Sequence, residues 1–134
     1  MALELHERTE EGVVILALRG RLTVGESAKV REKIDALVKA GQTKVVMDLS
    51  DVEYIDSTGL GHLVIYYTSL KKQGGALKLV NLNKRNVELL LLTKLHTIFE
   101  VFTDVQDAVN SFFPDRQIKR FDILSFVQEQ GLED

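Results

Sequence analysis

KVVMDLSDVEYIDSTGLG, Lys44 to Gly61, is the stretch whose reading decides the fold. Val45, Val46 and Met47 form an unbroken apolar run before Asp48, which suits a central strand, Lys44 to Leu49, covered on both faces. A short acidic loop follows, bordered by Asp48, Asp51 and Asp56. Asp56, Ser57 and Thr58 are all helix-capping residue types, and a helical pattern runs from Ser57 to about Gln73. Its predicted core stripe is Leu60, Leu63, Val64, Tyr67 and Leu70. A hydroxyl at this helix start faces unpaired backbone N–H groups and the positive end of the helix dipole, where an anion is stabilised. Gly59 and Gly61 carry no side chain, so a partner or ligand can approach their backbone closely.

The flanking pattern extends this unit in both directions. Leu3 and Leu5 alternate with polar residues, as in a short edge strand. Glu10-Glu11-Gly12 reads as a turn, and Val13 to Leu18 as a buried strand broken by Arg19-Gly20-Arg21. Gly25 to Ala40 has helical period with Val30, Ile34, Leu37 and Val38 on one face, and Gly41 ends it. After Gly74-Gly75 come a strand from Ala76 to Val80, caps at Asn81 and Asn83, and a helix defined by Val87, Leu90, Leu91 and Leu95. Ile98 to Phe102 reads as a last strand. Thr103 to Gln106 has capping-box spacing and opens a helix with Val105, Ala108, Val109 and Phe112 inward, stopped at Phe113 by Pro114. The order is β-β-α-β-α-β-α-β-α. It calls for an α/β fold with a mixed, mostly parallel sheet and helices packed on it.

The chain has 134 residues, 45% hydrophobic and 28% charged, enough for one domain with a real core. A net charge of −3 with scattered basic residues points away from nucleic acid. The absence of cysteine removes disulfide scaffolds and thiolate metal sites. With no apolar run of transmembrane length and no signal-peptide pattern, the expectation is a cytoplasmic protein without direct membrane insertion. Enzyme motifs fail one by one. The nucleophile elbow needs glycine where Ile55 stands, and the dinucleotide fingerprint needs it at Val64. His6, His62 and His96 read as surface histidines, and the three aspartates as turn and capping residues. No catalysis, metal or cofactor is expected.

Asp56-Ser57-Thr58-Gly59-Leu60-Gly61 resembles the D-S-[S/T]-G-L-G phosphoacceptor motif of anti-sigma-factor antagonists. The element order from about Leu3 to Phe113 resembles the STAS domain that carries it. The resemblance implies a STAS domain over residues 1–113; residues 114–134 lie beyond it and read from their spacing as a C-terminal helical extension. In that extension Phe121, Leu124 and Val127, with Ile118 a turn earlier, suit an amphipathic helix. It also implies that Ser57 is phosphorylated by an anti-sigma-factor serine kinase using its own ATP. The unmodified form would bind that kinase and free the sigma factor, phosphorylation would release it, and a phosphatase would reset it. The expected neighbourhood of the phosphosite is Asp56, Thr58, Gly59, Gly61 and Thr23. The expected docking face is Thr58, His62, Ile65 and Ser69, on a monomer or weak dimer. One departure stands out: where many antagonists have G-E-L-D, this chain has Gly20-Arg21-Leu22-Thr23. From spacing alone Ser57 is also readable as a plain helix cap. Two further readings stay within the fold, a subunit of a membrane lipid-transport ABC complex and a nucleotide- or anion-sensing domain.

Overall fold

A computed structural model describes residues 3–123, 125 and 126. Five strands form one sheet in the order β1 (Glu4–Glu10), β2 (Val13–Leu22), β3 (Lys44–Ile55), β4 (Ala76–Val80) and β5 (Val101–Phe102). β1 and β2 are antiparallel and every later pairing is parallel. Among the described residues, helices α1 (Ala28–Lys39), α2 (Ser57–Lys72) and α3 (Lys84–Leu92) stand between the strands, and α4 (Val105–Asn110) follows β5. The expected α/β order is present throughout.

The hairpin joining β1 to β2 turns on Glu11 (φ 52°) and Gly12 (φ 82°), a two-residue connection with both residues left-handed. The apolar run of β2 then serves both faces of the sheet. Val14, Leu16 and Leu18 enter a large cluster with Val30, Ile34 and Leu37 of α1 and Leu60, Leu63, Tyr66 and Leu70 of α2. Val13 and Ile15 point the other way, to Val46, Val80, Phe102 and the α4 residues Ala108 and Val109. The strict side alternation of a strand makes one continuous hydrophobic run fill two layers. On the smaller face Lys78 is buried, with Nζ 2.7 Å from Ser111 Oγ, 3.1 Å from Glu100 and 4.3 Å above the Phe112 ring.

Several boundaries differ from the sequence expectation. β2 does not break at Arg19; it continues to Leu22 through register shifts around Ala17/Arg19 and Gly20/Arg21. β3 does not end at Leu49 either. Its second half pairs with β2 alone, Arg21 opposite Tyr54 and Leu22 opposite Ile55, so the supposed acidic loop is strand. Asp48 and Asp51 therefore lie along β3, with the Asp48 carboxylate accepting from the Ser50 N–H at 3.1 Å. α1 starts at Ala28 after a turn that holds Glu26 N–H on the Thr23 carbonyl (3.0 Å), so Gly25 is outside it.

β5 shrinks to two residues because Lys94 (φ 62°) leads into a 3-10 turn, Leu95–Thr97. The N–H groups of Ile98 and Phe99 still donate back to Leu95, which removes Leu95 from α3 and Ile98 from the sheet. Asn83 caps α3 through the Asn86 N–H (2.8 Å), whereas Asn81 is a left-handed residue (φ 61°) and no cap. Leu91 is only half-buried. Asp104, not Thr103, caps α4, and that helix ends at Asn110 in turns that carry the chain to Pro114.

After α4 the chain returns to the domain. Arg116 makes two 2.7 Å bonds to the Glu11 carboxylate, and this pairing lowers the Glu11 pKa. Ile118 packs on the smaller cluster and Phe121 on the larger, with the Phe121 N–H donating to Val101 at 2.9 Å. Ile118 lies in irregular chain, so the expected amphipathic helix does not reach back to it. The remaining anchors of that helix, Leu124 and Val127, lie outside the described residues.

Candidate functional site

The extended pairing of β2 with β3 sets the start of α2. Ile55 ends β3 opposite Leu22, and the Asp56 N–H donates to the Leu22 carbonyl (3.3 Å). Asp56 is the N-cap, in extended conformation, with its carboxylate accepting from the Gly59 N–H at 2.7 Å. A carboxylate in this place satisfies one orphan amide and sits favourably on the helix dipole. Ser57 is consequently the first residue of the helix and not its cap. It is exposed, and its hydroxyl holds no hydrogen bond among the described residues.

Gly59 and Gly61 have different surroundings. A Cβ on Gly59 would stand 2.1 Å from the Leu22 carbonyl oxygen, so glycine is required by the protein's own β2. The expected close approach of a partner to Gly59 is therefore not available. At Gly61 a Cβ would meet nothing within 4 Å, and that backbone is open. Thr23, half-buried, follows directly on Leu22 and so stands beside the start of α2. Arg21 is turned to the strand face, with Nε 2.8 Å from Glu53, and the bond raises its pKa.

Thr58, His62, Ile65 and Ser69 recur at helical spacing on one stripe of α2. Thr58 and Ile65 are exposed (Ile65 by 52%), and His62 and Ser69 half-buried. The inward stripe differs from expectation at Val64, Tyr66 and Tyr67. Tyr66 is the deep residue, with its hydroxyl 3.4 Å from the Ser27 carbonyl and its pKa raised by burial, while Val64 and Tyr67 are only partly covered. Tyr66 and Tyr67 fit the helical period equally well from Leu63 and Leu70, and contact with α1 decides between them. His6 is exposed, but His62 and His96 are half-buried with Nδ1 shielded from solvent, so these two are not plain surface histidines. Among the described residues no three His, Cys, Asp or Glu side chains gather as metal ligands. No helix there is long and apolar enough to cross a membrane.

A groove of about 280 Å³ opens beside Ser57, between the end of β3 and α3. Tyr54, Ile55, Ser57, Arg85, Asn86 and Leu92 are among its walls. The Arg85 guanidinium lies 4.3 Å over the Tyr54 ring. Asn86 is buried and donates to the Val52 carbonyl (3.0 Å).

Residues 5–108 match the model of the STAS domain family. The chain belongs to that family. An anti-sigma-B factor antagonist of Bacillus subtilis is 35% identical to this STAS protein over 109 residues, 81% of this chain and 99% of the relative. The crystal structure of an anti-sigma factor antagonist from Mycobacterium paratuberculosis superposes with a TM-score of 0.71 at 26% identity, covering 82% of this chain and 93% of the other. The unphosphorylated anti-sigma factor antagonist SpoIIAA superposes at 0.66 over 84% of this chain and 99% of its own; at 18% identity that likeness shows the fold alone.

The sequence reading of this STAS domain missed Val24, Arg85 and Leu92. Val24 (70% exposed) is in the β2–α1 loop and Leu92 (83%) ends α3 at the groove. Leu92 had a signal: four consecutive leucines, Leu89 to Leu92, cannot share one helix face. So did Arg85, a cation in the first turn of a helix, where the dipole disfavours it.

Proposed function

We propose that this protein is an anti-sigma-factor antagonist whose affinity for a serine-kinase anti-sigma factor is set by phosphorylation of Ser57. The observation that carries the reading is the division of labour at the start of α2. Asp56 does the capping, and Ser57 is left exposed with a free hydroxyl beside the open backbone of Gly61. The similarity to named antagonists over most of both chains supports it. In the transfer, Ser57 Oγ forms a bond to the γ-phosphorus of the kinase's ATP while the β–γ anhydride bond breaks. ADP leaves, and the hydroxyl proton passes to a base on the kinase. The protein acts as a regulatory binding partner in the cytoplasm and is the substrate of this step, not its catalyst.

The unmodified protein presents Thr58, Gly61, His62, Ile65 and Ser69 to the kinase, with Asp56 and Thr23 flanking the phosphoacceptor. Phosphorylation adds about −1.5 to −2 charges at pH 7 next to the Asp56 carboxylate. An interface closed over a neutral serine would then have to desolvate the added charge, at a cost on the order of several kcal/mol. The partner dissociates, the anti-sigma factor is free to hold its sigma factor again, and a phosphatase restores the serine.

The test uses Ser57→Ala and Ser57→Asp baits in a native lysate, read by quantitative mass spectrometry. The expected result is an ATP-binding serine kinase enriched on the alanine bait and lost from the aspartate bait. Equal recovery of that kinase on both baits would overturn the charge mechanism.

A further inference from the structure

We infer that Arg85 is the internal receptor for the phosphate on Ser57, so that phosphorylation ties the start of α2 to the first turn of α3 across the groove between them. The inference rests on Ser57 being the phosphoacceptor. Four observations lead to it. Ser57 and Arg85 line the same groove. Arg85 is exposed and has no ion pair or hydrogen bond among the described residues, in contrast to Arg8, Arg21 and Arg116, each of which holds a carboxylate. Its guanidinium is already oriented by the Tyr54 ring, 4.3 Å away, so little side-chain freedom remains to be lost on pairing. Finally, Lys84 and Arg85 occupy the first turn of α3 with no acidic residue there. Cations at that end of a helix are disfavoured until an anion arrives, and a phosphate answers both the charges and the dipole.

A guanidinium fork matches two phosphate oxygens, which a serine hydroxyl cannot offer and which an aspartate at 57 offers only from a shorter side chain with a single charge. The consequence is specific. Phosphorylation does more than add charge to the docking face, because the phosphate and Arg85, still seated on Tyr54, then span the groove beside Leu92. Aspartate at position 57 then reproduces part of the charge but not the span.

The experiment uses the full chain with phosphoserine installed at position 57 during translation, so that no kinase is needed. Phosphorus NMR follows its second ionisation, ordinarily near about pH 6. The charged groups that line the groove with it are Asp56, Glu88 and Arg85, and Lys84 precedes Arg85 in the first turn of α3. Pairing with Arg85 holds the phosphate dianionic to lower pH. Arg85→Gln is expected to raise the apparent pKa by at least about half a unit, Arg85→Lys by less, and Lys84→Gln by under half as much as Arg85→Gln. Circular dichroism and melting of the unmodified variants check that folding is intact. An Arg85→Gln titration superimposable on that of the parent would overturn the inference, as would equal shifts from Lys84→Gln and Arg85→Gln. The same phosphoprotein, offered to the purified kinase, tests Ser57 as the switch separately: undiminished binding there would sink the switch reading and leave the titration result standing.

Discussion

On its inward side the first turn of α2 lies so close to β2 that Gly59 has room for nothing but hydrogen, with the Leu22 oxygen 2.1 Å from where a Cβ would be. Two residues later, on the outward side, Gly61 faces open space. The same residue type in one motif therefore answers two different demands. Inside, glycine lets the strand–helix junction close and so fixes where Ser57 stands. Outside, it leaves backbone bare next to the hydroxyl. The motif is half architecture and half surface, and only the packing distinguishes the halves.

The comparison is broken most directly by Gly59→Ala set against Gly61→Ala. The inner substitution is expected to cost about 3 kcal/mol or more in urea unfolding, because the obstructing atoms are backbone and cannot rotate away. The outer one is expected to gain up to about 1 kcal/mol, as alanine for glycine does inside a helix. Equal effects at the two sites would end the distinction. On the outward side again, Ile65→Ser is expected to weaken binding to the proposed kinase about tenfold by calorimetry while leaving the melting temperature unchanged. Asp56→Ala is expected to remove about 1 kcal/mol of stability, the usual worth of an N-cap.

The smallest effect is inward and pH-dependent. Burial raises the Tyr66 pKa, so the folded state keeps the phenol protonated where the unfolded chain releases it. That contribution is complete below the unfolded pKa of about 10 and is lost as pH rises through the folded value. Stability should therefore fall from about pH 10 upward, and Tyr66→Phe should flatten the fall in a pH series of denaturant melts.

Much of this was legible in the sequence where one interaction decides the outcome. The switch from period 2 to period 3.6 located β4 to the residue and α2 to within one, since local pattern and tertiary packing agree there. The second half of β3 was not legible. Ser50, Asp51 and Glu53 look like loop because they face solvent, and only the buried Val52 and Ile55 disclose a strand that pairs on one side. β5 failed for the opposite reason: Ile98 and Phe99 have strand composition, but a left-handed Lys94 commits them to a turn. At the candidate site the motif residues were readable because they are contiguous. Arg85 was not, because its place beside Ser57 depends on how α3 crosses the end of β3.

The bond from the Phe121 N–H to the Val101 carbonyl has a consequence for the edges of the sheet. An uncovered parallel edge is a template on which a foreign strand can add, and such addition is a route to aggregation. Here β5 offers only two residues, and one of their carbonyls is already taken by the chain's own later segment. The opposite edge, β1, carries Glu4, His6, Glu7 and Arg8 outward, and charge discourages a neighbour from stacking against it. Both edges of the sheet are thus blunted against strand addition, which leaves helix and loop surfaces for any partner.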